Sequence, residues 1–132
     1  MADITRLDAV AILRRTADWM EGSPDLVIRH VLASTGGRNP TVDNRCSTLS
    51  PDAKCFCVLG RLAHEARLDA ELDCDLAIQG LSYLFHQAYP ITHDYYEDYF
   101  YSLMVTNDDG DFAACIRSLR KTANNLETVD DA

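Results

Sequence analysis

The chain has 132 residues, of which 47% are hydrophobic and 25% are charged, and its formal net charge is −9. This composition is ordinary for a globular protein and argues against a disordered chain. No apolar run approaches the ~20 residues that a membrane-spanning helix needs, so we expect no membrane insertion. The five cysteines are an odd number and no signal peptide precedes them, which predicts free thiols in a reducing cytoplasm.

The negative charge is concentrated in the middle of the chain. Residues 68–116 contain ten acidic residues and no Lys or Arg. A surface of this sign repels nucleic acids and lipid headgroups and attracts basic partners. Direct nucleic-acid binding is not expected, because it needs a basic footprint. The alternative is that the acids only form a solvated face that keeps the protein soluble.

Two helices are predicted at the start of the chain. Thr5 followed by Asp8 resembles a capping box, and apolar residues at helical spacing continue to about Met20. Ser23 and Pro24 then suit the start of a second, shorter helix. The run DLVIRHVL within that second helix is ambiguous, because it could also form a strand.

A long surface loop and four more helices are predicted after this region. Residues 36–50 are rich in Gly, Asn, Ser and Thr, which is typical of a loop, and Ser50-Pro51 then repeats the helix-start signal. The predicted bounds of the remaining helices are 51–68, 73–89, 92–105 and 109–126. The sequence therefore predicts a single all-α domain over residues 1–132, a compact bundle of five or six helices whose last residues, 127–132, are frayed.

The densest group of potentially reactive side chains lies in the third predicted helix. Cys57, Gly60 and His64 would share one stripe of that helix, with Arg61 at its border, where a positive charge could favour a thiolate. Cys57 and His64 would lie two turns apart, ~10 Å, which is too far for direct proton transfer. They are the candidates for catalysis, and the alternative is that Cys57 is a buried, inert thiol.

The spacing of possible metal ligands matches no common site. Cys46, Cys55, Cys57 and His64 form a C-x8-C-x-C-x6-H pattern, unlike the usual zinc spacings. The acidic stretch NDDGD at 107–111 does not continue as a calcium-binding loop. We therefore predict no metal and no cofactor.

The stretch PDAKCFCVLGRL resembles the core signature of a small bacterial and phage family known only as a domain of unknown function. The residues that carry the resemblance are Pro51, Asp52, Ala53, Cys57 and Gly60, followed by Asn107 and Asp108 ahead of a final amphipathic helix. Arg61 stands where that family usually has a small residue. The resemblance implies a compact helical fold and a phage or mobile-element context, and it implies no activity. In structural terms, Gly60 would permit close helix contact and Asn107 or Asp108 would cap the last helix.

The tyrosine-rich stretch THDYYEDYFYS, residues 92–102, divides into two faces on a helical wheel. The side predicted to be buried contains Tyr96, Tyr99, Phe100 and Leu103. The opposite stripe contains Asp94, Glu97, Asp98 and Tyr101. With Asp108 and Asp109, this stripe forms the predicted partner-binding set, because tyrosine is a common interface anchor. The alternative is a lone exposed tyrosine on a solvated face.

The leading functional hypothesis is a small accessory protein of a phage or mobile element that binds a basic protein through its acidic middle third. A thiol-dependent enzyme or redox protein using Cys57 is the second hypothesis, and a non-enzymatic role is favoured over it. The third is a structural module that associates with itself, since its apolar faces could exceed what one small core covers.

Overall fold

The computed structural model describes residues 4–36, 44–70, 73–90 and 95–128. The described residues form five α-helices and a small antiparallel sheet of two strands. The helices are α1 (Arg6–Gly22), α2 (Val58–Glu65), α3 (Cys74–Ala88), α4 (Tyr95–Asp108) and α5 (Phe112–Thr128), and the strands are β1 (Ala33–Ser34) and β2 (Cys55–Phe56). The predicted all-α bundle is confirmed, with a strand pair that was not predicted. No helix in these ranges is long and apolar enough to cross a membrane.

The first and last helices pack against each other along their length. Arg14 of α1 pairs with Glu127 near the end of α5 at 2.6 Å, and Arg120 of α5 pairs with Glu21 near the end of α1 at 2.9 Å. The two helices are therefore antiparallel. Their apolar faces meet α2, α3 and α4 in one main core, where the most deeply buried side chains include Leu13, Met20, Leu59, Leu62, Leu81, Phe85, Phe100 and Leu119.

Two helices begin at side-chain caps, one of them the predicted capping box. The Thr5 hydroxyl accepts a hydrogen bond from the Asp8 N–H at 3.1 Å, and the Asp8 carboxylate accepts one from the Thr5 N–H at 2.9 Å. This is the predicted capping box. At the start of α3, the Asp73 carboxylate accepts from the N–H groups of Asp75 and Leu76. Each of these caps satisfies backbone N–H donors within a single helical turn, so it depends only on residues close together in the sequence.

The predicted second helix does not form. Only the single 3-10 turn Pro24–Leu26 is helical, and the chain then runs extended towards β1. The Ile28 N–H donates to the Phe56 carbonyl at 3.0 Å, and His30 has a left-handed backbone with φ of 67°. A residue with this φ cannot continue an α-helix. The β-branched residues of the ambiguous run are therefore used in strand-like pairing.

The predicted third helix begins seven residues later than expected, at Val58 instead of Pro51. Residues 50–53 form a turn, closed by a hydrogen bond from the Ala53 N–H to the Ser50 carbonyl, and Cys55–Phe56 pair with β1, with Ala33 opposite Phe56. Cys57 is the N-cap of α2, and its sulfur accepts from the Gly60 N–H at 3.4 Å. The prediction was wrong because the backbone groups of 55–56 bond to a segment distant in sequence.

The described part of the long loop, residue 36 and residues 44–50, is tied to the body. Arg45 forms a bridge with Ser34, and Thr48 is 1% exposed, with its hydroxyl donating to the Leu68 carbonyl at 2.7 Å. Residues 37–43 of the predicted loop lie outside the described residues.

Gly60 lies against the chain that precedes β1. A Cβ atom at Gly60 would stand 1.7 Å from the Leu32 carbonyl oxygen, a distance that no side chain can occupy. The close approach expected at Gly60 is therefore present, but an extended segment makes it where a helix was predicted.

Asn107 joins three segments in the interior. It is fully buried, its Oδ1 accepts from the Val58 N–H at 2.9 Å, and its Nδ2 donates to the Ile28 carbonyl at 2.9 Å. The expectation that it caps the last helix is wrong: Asn107 caps α2 from within α4. At the start of α5, the Asp111 carboxylate accepts from the Ala114 N–H at 3.1 Å instead.

We expect Gly60→Ala to lower the free energy of unfolding by about 3 kcal/mol or more, because the methyl group overlaps the Leu32 backbone. Gly22→Ala is the matched control, since no atom lies within 4 Å of a Cβ there, and we expect a change within about 1 kcal/mol. Chemical denaturation of both variants measures the difference. Equal stability of the two would contradict the close approach.

We expect Asn107→Ala to lower the free energy of unfolding by about 2–4 kcal/mol, because a buried N–H and a buried carbonyl lose their partner. Asn125→Ala, at an exposed position of α5, should have little effect. Urea denaturation followed by circular dichroism compares the two. A loss below ~1 kcal/mol at Asn107 would show that this amide does not hold the segments together.

Candidate functional site

The inner face of α4 lies in the core and packs against α3. Phe85 of α3 contacts the rings of Tyr96 and Phe100, with centroid distances of 5.8 and 5.1 Å. The Tyr96 hydroxyl donates to the Tyr89 carbonyl at 2.7 Å, and burial raises the pKa of Tyr99 to about 12. The structure thus places the apolar half of the tyrosine-rich stretch inside, and this packing turns the other half of α4 to solvent.

The outward stripe of α4 borders an open groove of about 260 Å³ between α3 and α4. The residues that line this α3–α4 groove are Asp75, Ile78 and Gln79 from α3 and Glu97, Asp98 and Tyr101 from α4. Asp75, Glu97 and Asp98 are exposed, and Tyr101 is 56% exposed. Asp94, the fourth member of the predicted stripe, lies outside the described residues.

The carboxylates of the groove are not neutralised by the rest of the described chain. None of the ion pairs between described residues involves Asp75, Glu97 or Asp98. No Lys or Arg occurs anywhere in residues 68–116, so neither wall supplies a cation of its own. The groove therefore concentrates negative charge from two helices around one aromatic ring.

The contribution of α3 to this groove was not predicted. Asp75, Ile78 and Gln79 stand at i, i+3 and i+4, so they share one face of α3. That spacing was present in the sequence. However, nothing local indicates that this face lies beside the stripe of α4.

The other two predicted partner-binding acids lie away from the groove. Asp108 is engaged within the chain: its carboxylate accepts from the His30 N–H at 2.9 Å and lies 3.4 Å from the His30 ring nitrogen Nδ1. Its carbonyl also accepts from the Arg29 Nε at 2.6 Å. Asp109 is exposed, and neither residue lines the groove.

Cys57 does not have the surroundings of a reactive thiol. It is 3% exposed at the start of α2, and burial raises its pKa to about 12. The expected effect of Arg61, a lowered pKa, is absent. The positive charge of Arg61 is instead paired with Glu65 at 3.1 Å. The thiol is therefore held in its protonated, unreactive form.

His64 and Arg61 belong to an aromatic cluster. The guanidinium of Arg61 lies 4.8 Å from the ring centroid of Trp19 and 5.2 Å from that of Phe56. The His64 ring packs on Phe56 at 4.9 Å, and its Nδ1 lies 2.7 Å from the Thr48 carbonyl, to which it can only donate. This contact orients the His64 ring towards the packed loop.

No metal centre is found in the described ranges, where no three His, Cys, Asp or Glu side chains are placed to hold an ion. The cysteines and histidine considered as zinc ligands are part of this search. The acids of the α3–α4 groove therefore do not form a ready metal site.

No family model, curated protein or solved structure matches the chain. The resemblance to a bacterial and phage family, and the mobile-element context that it implies, stay predictions. The geometry of the α3–α4 groove is therefore the basis for any functional conclusion.

We expect Cys57 to react with an alkylating reagent more slowly than the thiols of the unfolded chain, because it is buried and protonated. The half-buried Cys46 and Cys74 should be labelled first. Mass spectrometry of the native protein, alkylated at about pH 8, measures the order. Labelling of Cys57 at the denatured rate would contradict its burial.

The same thiol should make stability depend on alkaline pH. The pKa of Cys57 is about 12 when folded, above the ~8.5 of an unfolded cysteine, so its contribution to stability is complete below the unfolded value. The contribution is lost as pH rises through the folded value, because the unfolded chain releases the proton first. In the Cys57→Val variant, the denaturation midpoint should therefore fall less steeply as pH rises into the alkaline range. An unchanged slope of midpoint against pH would contradict this role of the thiol.

Proposed function

We propose that this protein is a binding protein that docks a basic segment of a partner protein in the α3–α4 groove. The observation that carries the proposal is the convergence of three exposed carboxylates, Asp75, Glu97 and Asp98, on one groove beside the exposed ring of Tyr101. Charge complementarity of this kind steers encounter and selects partners.

The size and shape of the groove favour a polypeptide over a small molecule. Its volume of about 260 Å³ lies below the ~300–1,000 Å³ of typical ligand pockets, and it is open to solvent. Such a groove can receive one or two side chains of a segment that runs across it. Tyr101 offers a large ring at low entropic cost, as interface tyrosines do.

Three alternatives have weaker support. A thiol enzyme would need an accessible, ionisable Cys57, which burial opposes. Self-association through this groove would bring two acidic surfaces of the same sign together, and that is repulsive. The acids could also act only as first-turn charges that stabilise α3 and α4, since Asp75, Glu97 and Asp98 all lie in first turns. That last alternative predicts a loss of stability without a loss of binding when the charges are removed.

The test compares two double variants with the same change in net charge. Glu97→Gln with Asp98→Asn removes charge from the groove, whereas Asp52→Asn with Asp109→Asn removes it from exposed positions that do not line the groove. The probe is a short synthetic peptide containing both Arg and Lys. We expect the groove variant to bind about fivefold to tenfold more weakly and with a smaller dependence on salt, because direct charge pairs are lost.

The location of binding is measured by titrating isotope-labelled protein with the same peptide and following amide resonances by NMR. Residues 75–79 and 97–101 should shift first. Equal weakening in both double variants would show that net charge alone attracts the peptide, and the groove would then not be the docking site.

A further inference from the structure

His30 and Asp108 form a second candidate site, at the corner where the extended segment before β1 meets the end of α4. Neither residue lines the α3–α4 groove, so the site is separate from the proposed docking surface. We propose that Nε2 of His30 is a phosphoryl acceptor. It takes the phosphoryl group of a phosphoramidate, a donor with a nitrogen–phosphorus bond. In this site Asp108 orients the imidazole ring and Arg29 contacts the phosphoryl oxygens.

The His30 ring is held at one nitrogen and open at the other. Its Nδ1 lies 3.4 Å from the Asp108 carboxylate oxygen Oδ2, while the side chain is 68% exposed. A carboxylate beside Nδ1 favours a proton on that nitrogen, which leaves the lone pair on Nε2. Nε2 has no partner among the described residues, so the nucleophilic nitrogen is accessible to a reagent.

The backbone fixes the position of this ring. The His30 N–H donates to the other oxygen of the same carboxylate, Asp108 Oδ1, at 2.9 Å. His30 has φ of 67°, a left-handed conformation that costs free energy for a residue with a side chain. Such conformations persist where the surrounding contacts impose them, and they cluster at functional sites. The neighbouring Asn107 also binds the Ile28 carbonyl, so the segment is anchored two residues before the histidine as well.

Arg29 brings a guanidinium to the same corner. Its Nε donates to the Asp108 carbonyl at 2.6 Å, and its two terminal nitrogens have no hydrogen-bond acceptor among the described residues. One of them, Nη1, lies 3.7 Å from the position that a Cβ of Gly110 would take, so the guanidinium lies beside the turn after α4. Free guanidinium N–H groups bind phosphoryl oxygens in pairs. This cation favours a phosphoryl group over an uncharged acyl group as the electrophile.

The transfer step needs no further reactant. The Nε2 lone pair forms a bond to phosphorus while the nitrogen–phosphorus bond of the donor breaks, and the donor nitrogen, protonated beforehand, leaves as neutral ammonia. The imidazole keeps its Nδ1 proton and becomes positively charged, and the Asp108 carboxylate 3.4 Å away stabilises that charge. The net charge of −9 repels highly charged donors, so a phosphoramidate monoanion suits this protein better than a nucleoside triphosphate.

Incubation with potassium phosphoramidate tests the site in the wild-type protein. Mass spectrometry and phosphorus NMR under alkaline conditions measure phosphohistidine at each position. We expect Nε2 of His30 to be phosphorylated about fivefold faster than His86, because the ring cation at His30 has a counter-charge. His86 is the matched control, an exposed histidine of α3 with no carboxylate partner among the described residues. Equal rates at the two histidines, or a phosphoryl group on Nδ1 of His30, would overturn the proposal.

Two substitutions that remove the same charge test Asp108. Asp108→Asn keeps a side-chain oxygen that can accept from the His30 N–H, and circular dichroism checks that the fold is retained. This variant should phosphorylate His30 about fivefold more slowly, because the ring cation loses its counter-charge. Asp109→Asn, at the exposed neighbouring position, should keep the rate or raise it slightly, because the anionic donor is repelled less. Equal rates in the two variants would overturn the role of Asp108.

A second pair of variants tests the guanidinium. Arg29→Gln should slow phosphorylation of His30 about threefold, because the phosphoryl oxygens lose a charged donor. Arg15→Gln removes an exposed charge of the same sign from α1 and should leave the rate unchanged. An unchanged rate in Arg29→Gln, or an equal loss in both variants, would overturn the assignment of Arg29 to the phosphoryl oxygens.

Discussion

The arrangement of the molecule depends on the side-chain amide of Asn107. This one buried group accepts from the first N–H of α2 and donates to the Ile28 carbonyl, so it satisfies two backbone groups that lie far apart in sequence. Because Asn107 stands in the last turn of α4, these bonds fix α4 against both the extended segment and α2. Satisfied buried polar groups of this kind specify one arrangement, since any other leaves them unpaired.

The close contact at Gly60 completes that arrangement. The backbone of Leu32 passes directly over Gly60, where any Cβ would overlap its carbonyl. The segment before and within β1 therefore lies within the helical bundle, paired with Cys55–Phe56 and held at Ile28 by Asn107. With α2 and α4 set in this way, the apolar half of α4 faces Phe85 of α3 and the acidic half faces solvent.

Several charged side chains outside residues 68–116 have partners within the fold, whereas the acids of the groove have none among the described residues. Three arginines outside residues 68–116 are engaged within the fold: Arg14 and Arg120 join α1 to α5, and Arg61 lies over the rings of Trp19 and Phe56. The groove acids have no such partner among the described ion pairs. Surface ion pairs contribute little individually to stability, so this contrast has little effect on folding.

The sequence by itself determined the helical class, the capping box at Thr5 and the division of α4 into a buried and an exposed face. Each of these depends on contacts within about one or two turns, where spacing is sufficient evidence. Tertiary structure alone decided that residues 33–34 and 55–56 pair as strands, that Asn107 caps α2, and that Asp75, Ile78 and Gln79 meet Glu97, Asp98 and Tyr101 across a groove. In those cases the partner of each group lies far away along the chain, and only packing determines which distant segment satisfies it.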